Sequence, residues 1–408
     1  AKPPTPLDKV TSSVRDFYEA YPYPPDGSVD CDGYHATLLL SYVQRQAADS
    51  GCPLQVLEAG CGRGLNLRTA ARLQPAVTFT GIDINRVAIE EASRAVASAG
   101  LDNLRFFTAD LLDPASLPSL QGGYDLILSY GVIHHLSDPE AGLRRLRERL
   151  APGGVLAMMV DGRYARQPLD RYLEARALLD DDAQSADARM ASARALARVA
   201  EASLFKGNCW QGTAAVDDVE FADRCLHVHE TSYDIDGVWR LLAGAGLGFV
   251  RWLEPRDWSL DALAAEPALR QRFEALDAVT RYRLVERLCD RPKLTLIAAC
   301  AETRPREPLA REAVAQTRFR LNPQLRPQAE PGNGRYRLRA REAAAPGNRC
   351  EAVILAQARQ LGRGFTGTEM ARRLAADGFS RDTVFDALGA LETREWLFRP
   401  HAASEDAT

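Results

Sequence analysis

Three glycines and an acidic residue lie in a short stretch that directly follows an apolar run. The stretch is LEAGCGRG, with the acid at Glu58 and the glycines at positions 60, 62 and 64. Glycines at a strand-to-helix turn let a nucleotide approach the backbone. The stretch lacks the Gly-Lys-Ser/Thr ending of a phosphate-binding loop, and a carboxylate in the turn disfavours a pyrophosphate and suits a cationic ligand. We therefore expect a nucleoside ligand without phosphates.

Two further acids follow the next apolar runs. Asp83 lies in the stretch GIDIN, about 20 residues beyond the glycine turn, where a carboxylate accepts both ribose hydroxyls. Asp110 lies in FTADLLD, where it can accept a hydrogen bond from the exocyclic amine of adenine. The two acids predict an adenosine group at the carboxyl edge of a sheet.

The elements that position these residues alternate along the chain. Short apolar runs (LQVLEAG, VTFTGIDI, LRFFTAD, YDLILSYG and GVLAMMVD) are separated by helical patterns, and KLTLIAAC adds a later strand. Such alternation predicts parallel strand-helix-strand units and a doubly wound α/β sheet.

The composition divides the chain into five segments. Alanine-rich helical sequence replaces the alternation after Gly162, and positions 303 to 349 hold eleven arginines, four glutamates and six prolines. Apolar periodicity returns after residue 350, with helix-turn-helix spacing. We predict an N-terminal helical lid segment (1–50), a Rossmann-like domain (51–161 and 230–302), a helical insertion that caps the substrate (162–229), an Arg/Pro-rich linker (303–349) and a winged-helix-like C-terminal domain (350–408).

The ordered set of glycine turn, two acids, "YDLILSYGVIHHL" and "LAPGG" resembles the class I S-adenosylmethionine-dependent methyltransferases over about 54–161 and 230–300. "YPYPP" at 21–25 resembles the Tyr-Pro-Tyr-Pro lead of one branch. The resemblance implies a Rossmann-like sheet and S-adenosylmethionine as methyl donor. It places the donor against Glu58, Gly60, Cys61, Gly62, Gly64, Asp83, Ile84, Asp110, Leu111, Ser129 and Tyr130.

Histidines and tyrosines are the candidate catalytic residues. His134 or His135 could act as a general base near neutral pH, but we favour the alternative that one packs in the core and the other borders the donor. Tyr21 and Tyr23, with Tyr18, are expected to form a lid over the sulfonium. The alternative for the tyrosines is an aromatic strap that packs the amino terminus against the sheet.

The acceptor side is less clearly marked in the sequence. "VDGRYARQ" after the fifth strand makes Asp161, Arg163, Tyr164 and Arg166, together with Tyr18, candidate substrate contacts, although a solvated helix start would look the same. Cys225, His227 and His229 alternate as on one strand, but they lack partners at metal-ligand spacing. We favour a buried edge there and expect no metal.

Composition restricts the partners and the compartment. The 408 residues carry a formal net charge of −4 and 46% hydrophobic residues, so we expect neither global attraction to nucleic acid nor membrane insertion. Eight scattered cysteines without a CxxC pair, and no apolar signal region, favour a cytoplasmic protein. The sequence also allows a homodimer.

No motif identifies the acceptor, and three classes compete. A protein or peptide side chain leads, because the basic linker and the tail suit a large partner. A small metabolite under the helical insertion is the alternative, and RNA is third and disfavoured because aromatic residues are few in the arginine-rich segment. The fourth strand also lacks the Asn/Asp-Pro-Pro-aromatic sequence of many amino-group methyltransferases of nucleic acids. A non-enzymatic scaffold would differ from all three by failing to bind the donor.

Overall fold

The computed structural model of the chain describes residues 7–25, 36, 38–44, 52–118, 120–180, 185–259, 266–300, 309–322, 325–327, 336–338 and 345–401. In these ranges, no helix has the length and apolar character that a membrane span requires.

A seven-stranded sheet forms the centre of the molecule, in the order β3-β2-β1-β4-β5-β7-β6. The first five strands pair in parallel, whereas β7 runs antiparallel to both β5 and β6. The predicted Rossmann-like sheet is confirmed. The strands are β1 (Gln55–Ala59), β2 (Thr78–Asp83), β3 (Leu104–Thr108), β4 (Tyr124–Tyr130), β5 (Leu150–Asp161), β6 (Leu247–Trp252) and β7 (Lys293–Cys300).

Helices cover both faces of this sheet and create two apolar cores. One core gathers residues such as Ile127, Leu143 and Leu296, and the other contains Leu67, Phe79 and Leu126. Because strands buried on both faces need apolar side chains on both sides, β4 is a nearly continuous apolar run. The helices are α1 (Lys9–Ala20), α2 (Leu65–Leu73), α3 (Arg86–Ala99), α4 (Pro139–Arg147), α8 (Ile235–Gly244), α9 (Pro267–Glu274) and α10 (Ala278–Leu288), with 3₁₀ turns at Leu40–Tyr42, Ile133–His135 and Pro255–Trp258.

A separate helical layer lies between β5 and α8 in the sequence. It consists of α5 (Arg163–Ala177), α6 (Ala186–Glu201) and α7 (Asp218–Cys225), with a 3₁₀ turn at Thr213–Ala215. Tyr172, Phe205 and Phe221 form its own apolar core. Asp217 caps α7 by accepting hydrogen bonds from two backbone N–H groups at 3.0 Å. The cap fixes the end of α7 that faces the sheet domain.

The C-terminal unit packs three helices on a small sheet. The helices are α11 (Arg349–Leu361), α12 (Gly367–Leu374) and α13 (Arg381–Thr393), with 3₁₀ turns at Arg311–Ala313 and Ala375–Asp377. The central strand of the sheet is β8 (Arg318–Leu321), between β11 (Phe365–Thr366) and β12 (Leu397–Phe398). A separate antiparallel pair consists of β9 (Leu325–Pro327) and β10 (Tyr336–Leu338).

The expected linker at 303–349 therefore differs from the observed structure. Val314, Phe319 and Leu325 are buried in the core of the C-terminal unit, and β8 pairs with both β11 and β12. The terminal strand β12 accordingly pairs with β8. A few apolar residues spaced along the arginine-rich segment are enough to build this strand, because only one face of it is buried.

Glu395 connects the C-terminal unit to the sheet domain. Its carboxylate lies 2.5 Å from the Arg251 guanidinium of β6 and accepts a hydrogen bond from the Tyr42 hydroxyl at 3.3 Å. Arg251 also lies over the Tyr42 ring, 4.9 Å from its centroid. Glu395 has a φ of 59°, a left-handed conformation that costs roughly 1–2 kcal/mol for a residue with a side chain.

Candidate active site

A cavity of about 980 Å³ opens at the carboxyl edge of the sheet. Its floor comes from the ends of β1, β2, β4 and β5, and its walls include α1 and α7. The volume is at the upper end of the roughly 300–1,000 Å³ typical of ligand pockets. It can hold a nucleoside donor and part of an acceptor together.

The glycine turn gives one end of this cavity its shape. Gly60, Gly62 and Gly64 all have left-handed φ values, of 78°, 50° and 68°. A side chain at Gly60 would meet Val132 at 2.1 Å, and one at Gly62 would meet the Tyr23 carbonyl oxygen at 2.7 Å. The turn therefore depends on glycine for both its backbone conformation and its close contacts.

Asp83 fixes the turn and faces the cavity. Its two carboxylate oxygens accept hydrogen bonds from the backbone N–H groups of Gly62 and Asn85, each at 2.8 Å. A carboxylate oxygen has further acceptor capacity, so both oxygens can still accept ribose hydroxyls. Burial raises the pKa of Asp83, and the backbone hydrogen bonds oppose that rise.

The other two acids of the donor edge are also held in place. Glu58, at the end of β1, accepts a hydrogen bond from the Asn66 amide at 2.9 Å. Asp110 accepts one from the backbone N–H of Leu112 at 2.9 Å, and burial raises its pKa. The left-handed glycines, the three carboxylates and the volume together fit S-adenosylmethionine, whose adenosine and sulfonium need hydroxyl acceptors and negative charge.

Nine of the eleven residues expected to hold the donor line this cavity, and two do not. Ser129 is fully buried within β4, because the side chain of this penultimate strand residue points into the protein interior. Gly64 instead faces the Phe106 ring, which a side chain there would meet at 2.2 Å. Gly64 therefore serves helix packing. The nine lining residues are Glu58, Gly60, Cys61, Gly62, Asp83, Ile84, Asp110, Leu111 and Tyr130.

Two of the three N-terminal tyrosines line the cavity. Tyr18 and Tyr23 belong to its walls, whereas Tyr21 packs its ring 5.3 Å from that of Phe17. Asn85 donates a hydrogen bond at 2.8 Å to the Tyr18 carbonyl oxygen. The segment therefore both packs against the sheet and covers the cavity, but Tyr21 is not placed to act in catalysis.

His134 and His135 are buried, at 2% and 7% exposure, and both line the cavity. Burial lowers the pKa of His134 to about 3 and that of His135 well below its usual value. His135 Nδ1 donates to the His229 carbonyl oxygen at 3.0 Å. Burial therefore disfavours the protonated form of both imidazoles. Both line the cavity, whereas the favoured interpretation placed one of them in the core.

The acceptor side of the cavity contains a buried arginine between two acids. Arg166 forms ion pairs with Asp161 and Glu230. Burial raises the pKa of both carboxyl groups, and the arginine opposes that rise. Asp161 and Arg166 line the cavity as expected.

Two of the expected substrate contacts lie elsewhere. The Arg163 side chain is 62% exposed and lies 3.6 Å from Asp234. The Tyr164 ring lies beneath the guanidinium of Arg287, 4.6 Å away. Both residues are on the first turn of α5, where successive side chains diverge around the helix.

The structure gives no support to a metal site at Cys225, His227 and His229. Cys225 ends α7 inside the core of the insertion, and the two histidines lie in the following loop rather than on a strand. His134, His135 and Glu230 do offer ligand atoms within 4.8 Å of one another. Glu230 is already paired with Arg166, whose positive charge would repel a metal ion.

Several cavity residues of the insertion were not predicted from the sequence. Trp210, Glu220 and Asp223 line the acceptor side, and Glu230 lies next to them. The hydroxyls of Tyr18 and Tyr23 donate to Asp223 at 3.0 Å and to Glu220 at 3.3 Å. The one available signal was the spacing of Glu220 and Asp223, which places them on the same face of a short helix.

Comparison with known proteins agrees with this geometry. A methyltransferase-domain family matches residues 57–156. An uncharacterized protein of Synechococcus sp. is 33% identical over 297 residues, which is 69% of each chain. Trans-aconitate 2-methyltransferase of Deinococcus radiodurans is 34% identical over 110 residues, 27% of this chain and 39% of that enzyme.

A solved structure extends the likeness beyond the sheet domain. PKMT2 from Rickettsia typhi, in complex with S-adenosylhomocysteine (AdoHcy), has a TM-score of 0.66 at 15% identity. The similarity covers 94% of this chain and 76% of PKMT2. At this identity the likeness shows a shared fold.

The methyltransferase domain, the named relatives and the fit of the cavity favour an enzyme over a non-catalytic scaffold. S-adenosylmethionine is its methyl donor. The chain is a class I S-adenosylmethionine-dependent methyltransferase, and it belongs to the same family as the uncharacterized Synechococcus protein.

Proposed function

We propose that the enzyme methylates the amino group of a lysine side chain on a protein or peptide. The observation that carries this proposal is the charge of the acceptor side of the cavity. Four carboxylates lie there, against the two guanidinium groups of Arg166 and Arg224 and the exposed Lys293. An excess of negative charge in a partly buried cleft attracts a cationic group such as an ammonium. The four acids are Asp161, Glu220, Asp223 and Glu230.

The fold of the whole chain supports a protein acceptor. PKMT2, a protein lysine methyltransferase, shares the fold over 94% of this chain, so the likeness includes segments outside the sheet domain. The additional units are what a large acceptor would need.

The chain's own residues would align the reactants and exclude water. S-adenosylmethionine supplies an activated methyl carbon, so catalysis needs chiefly an in-line approach of the nucleophile. Asp83 and the glycine turn would hold the adenosine and methionine ends of the donor. Tyr18 and Tyr23 would cover the cavity, since both line its walls and are hydrogen-bonded to the insertion.

A small metabolite remains the second candidate, and one observation favours it. α1 and α7 wall the cavity on two sides, so a small acceptor could be enclosed. The experiment below separates the two classes.

One helix of the C-terminal unit argues against RNA as the acceptor. Within α13, the second helix of the helix-turn-helix spacing, Asp382 and Asp386 are 83% and 65% exposed. Arg311 lies within 3.5 Å of both. A helix that presents acids to solvent would repel a phosphate backbone.

Labelled methyl transfer would test the proposed function. Donor labelled on its methyl group is incubated with the full chain and with fractionated lysate, and label is then measured in protein, RNA and small molecules. We expect label in the protein fraction. Label confined to small molecules would refute the protein acceptor and favour the metabolite.

A further inference from the structure

Asp223 differs from Asp161, Glu220 and Glu230, the other acids named on the acceptor side, because among the described residues it forms no salt bridge. Asp161 and Glu230 share Arg166, and Glu220 pairs with Arg224 at 2.7 Å. In the part of the chain that the structure describes, Asp223 forms no salt bridge, and its side-chain hydrogen bond comes from the Tyr18 hydroxyl.

A short chain of contacts connects Asp223 to the donor edge. Tyr18 donates to Asp223 at 3.0 Å, and the Tyr18 carbonyl oxygen accepts from the Asn85 amide at 2.8 Å. The backbone N–H of Asn85 in turn donates to Asp83. Asp223 is therefore positioned, through Tyr18, relative to the residue that would hold the donor ribose.

A buried carboxylate without a cation is costly to ionise, and a bound ammonium or amine would compensate it. Burial raises the pKa of Asp223 to about 6, so the group is still ionised at pH 7. The buried imidazoles of His134 and His135 cannot take this role, because an imidazole carries no negative charge.

We propose that Asp223 is a catalytic residue that binds the acceptor nitrogen and turns its lone pair toward the donor methyl carbon, with Tyr18 as its positioning residue. This inference rests on the proposed amine acceptor. The nitrogen of the free amine forms the new N–C bond as the C–S bond breaks, and the electron pair of the C–S bond returns to sulfur. Before this step the Asp223 carboxylate accepts one proton from the bound ammonium and passes it to water, and the product leaves as the methylated ammonium.

Tyr18 affects the pKa of Asp223 through their hydrogen bond. The hydrogen bond from Tyr18 lowers the pKa of Asp223 against the effect of burial. Replacing Tyr18 with phenylalanine should therefore raise this pKa and move the acid limb of the pH-rate profile to higher pH. Several titratable and charged groups face Asp223. They are Tyr18 of α1, Tyr23, Glu220 of α7, Asp161 of β5, Lys293 of β7 and Glu230 in the loop after α7.

The test uses the full chain, labelled S-adenosylmethionine and two acceptor probes, which are lysate protein and Nα-acetyl-lysine amide. Asp223→Asn is compared with Asp218→Asn, the same change on the same helix at a side chain that is 77% exposed and paired with Arg194. We expect at least a roughly 100-fold loss of kcat/KM for Asp223→Asn, the scale of general acid-base catalysis. Donor affinity should stay within about twofold, and Asp218→Asn should match the wild type.

The chemistry of the product distinguishes the possible failures. Base-stable N-methyl product on protein, lost in Asp223→Asn, supports both the function and the inference. N-methyl product confined to small amines and lost in the variant refutes the protein acceptor but supports Asp223. Base-labile methyl esters, no N-methyl product at all, or a nearly full rate in Asp223→Asn would overturn the inference. If Asp223→Asn does not fold, Tyr18→Phe is measured instead. An acid limb of the pH-rate profile that stays at the wild-type pH in Tyr18→Phe would also overturn the inference.

Discussion

The Asp83 side chain both holds the glycine turn in place and faces the cavity. Its carboxylate accepts the backbone N–H of Gly62, which holds the glycine turn, and it also faces the cavity where a ribose would bind. Gly62 in turn lies against the Tyr23 carbonyl oxygen. At the scale of residues, the glycine turn, the cavity and the N-terminal segment depend on the same few atoms.

We predict that Gly62→Ala weakens donor binding by tenfold or more, roughly 1.4 kcal/mol. The new methyl group would lie 2.7 Å from the Tyr23 carbonyl oxygen, so the lid segment must move. Gly207→Ala is the matched control, because Gly207 has a φ of 76° but nothing within 4 Å of an added Cβ. Both variants incur the left-handed penalty, and only Gly62→Ala adds the crowding. Calorimetric titration with donor checks this, and equal donor affinities for the two variants would contradict it.

Asp223 should also affect how the free energy of unfolding depends on pH. Its pKa is raised from 3.8 to about 6 in the folded protein, so the folded state binds the proton more tightly than the unfolded state does. This group therefore stabilises the fold at low pH, and that contribution is lost as the pH rises from about 4 to about 6.

Asp223→Asn should accordingly raise the free energy of unfolding above pH 6 and have little effect below pH 4. Denaturant unfolding at pH 4 and pH 8 measures the difference. A variant that is destabilised more at pH 8 than at pH 4 would show that the ionised carboxylate is a structural group.

At the scale of elements, the sequence predicted those parts in which a local pattern determines the structure. The strands β1 to β5, the glycine turn and the acids Asp83 and Asp110 follow from apolar periodicity and from the meeting of parallel strands at one edge. Asp223 could not be placed, because its position depends on how the insertion packs against α1. β8 was missed because arginine and proline dominate the composition around its few apolar residues.

Glu395 offers a test of how the C-terminal unit docks. The residue keeps a left-handed backbone that asparagine would adopt more easily, so its carboxylate must contribute enough to offset that strain. Glu395→Asn should lower the free energy of unfolding by roughly 1–3 kcal/mol, the cost of leaving a partly buried charged partner unsatisfied. Thermal unfolding of the full chain checks this. A variant as stable as the wild type would mean that the contact with Arg251 is not stabilising.

For the whole molecule, the C-terminal unit has a core separate from those of the sheet and its helical layer. The C-terminal core contains residues such as Phe319, Ile354 and Leu388. The last cavity residue in sequence is Thr295, so all cavity residues precede the C-terminal unit. The cavity should therefore form without the C-terminal unit, whereas a large acceptor could contact both units.

Deleting every residue after Glu302 should spare donor binding and lower turnover on a protein acceptor. This cut removes β8 together with its partners β11 and β12 and leaves no half of the small sheet behind. Donor titration and labelled methyl transfer to lysate protein measure the two properties. Full activity of a soluble truncation would show that the unit has no role in acceptor recognition, and an insoluble truncation would show that it caps the sheet domain.

The most direct test of the account is to locate the transferred methyl group on the acceptor. Lysate protein is incubated with the full chain and donor carrying a deuterated methyl group, then digested and sequenced by mass spectrometry. The account predicts deuterated methyl groups on lysine side-chain nitrogens. Deuterium on carboxylate oxygens or cysteine sulfur, or its absence from protein while small molecules carry it, would contradict the central claim.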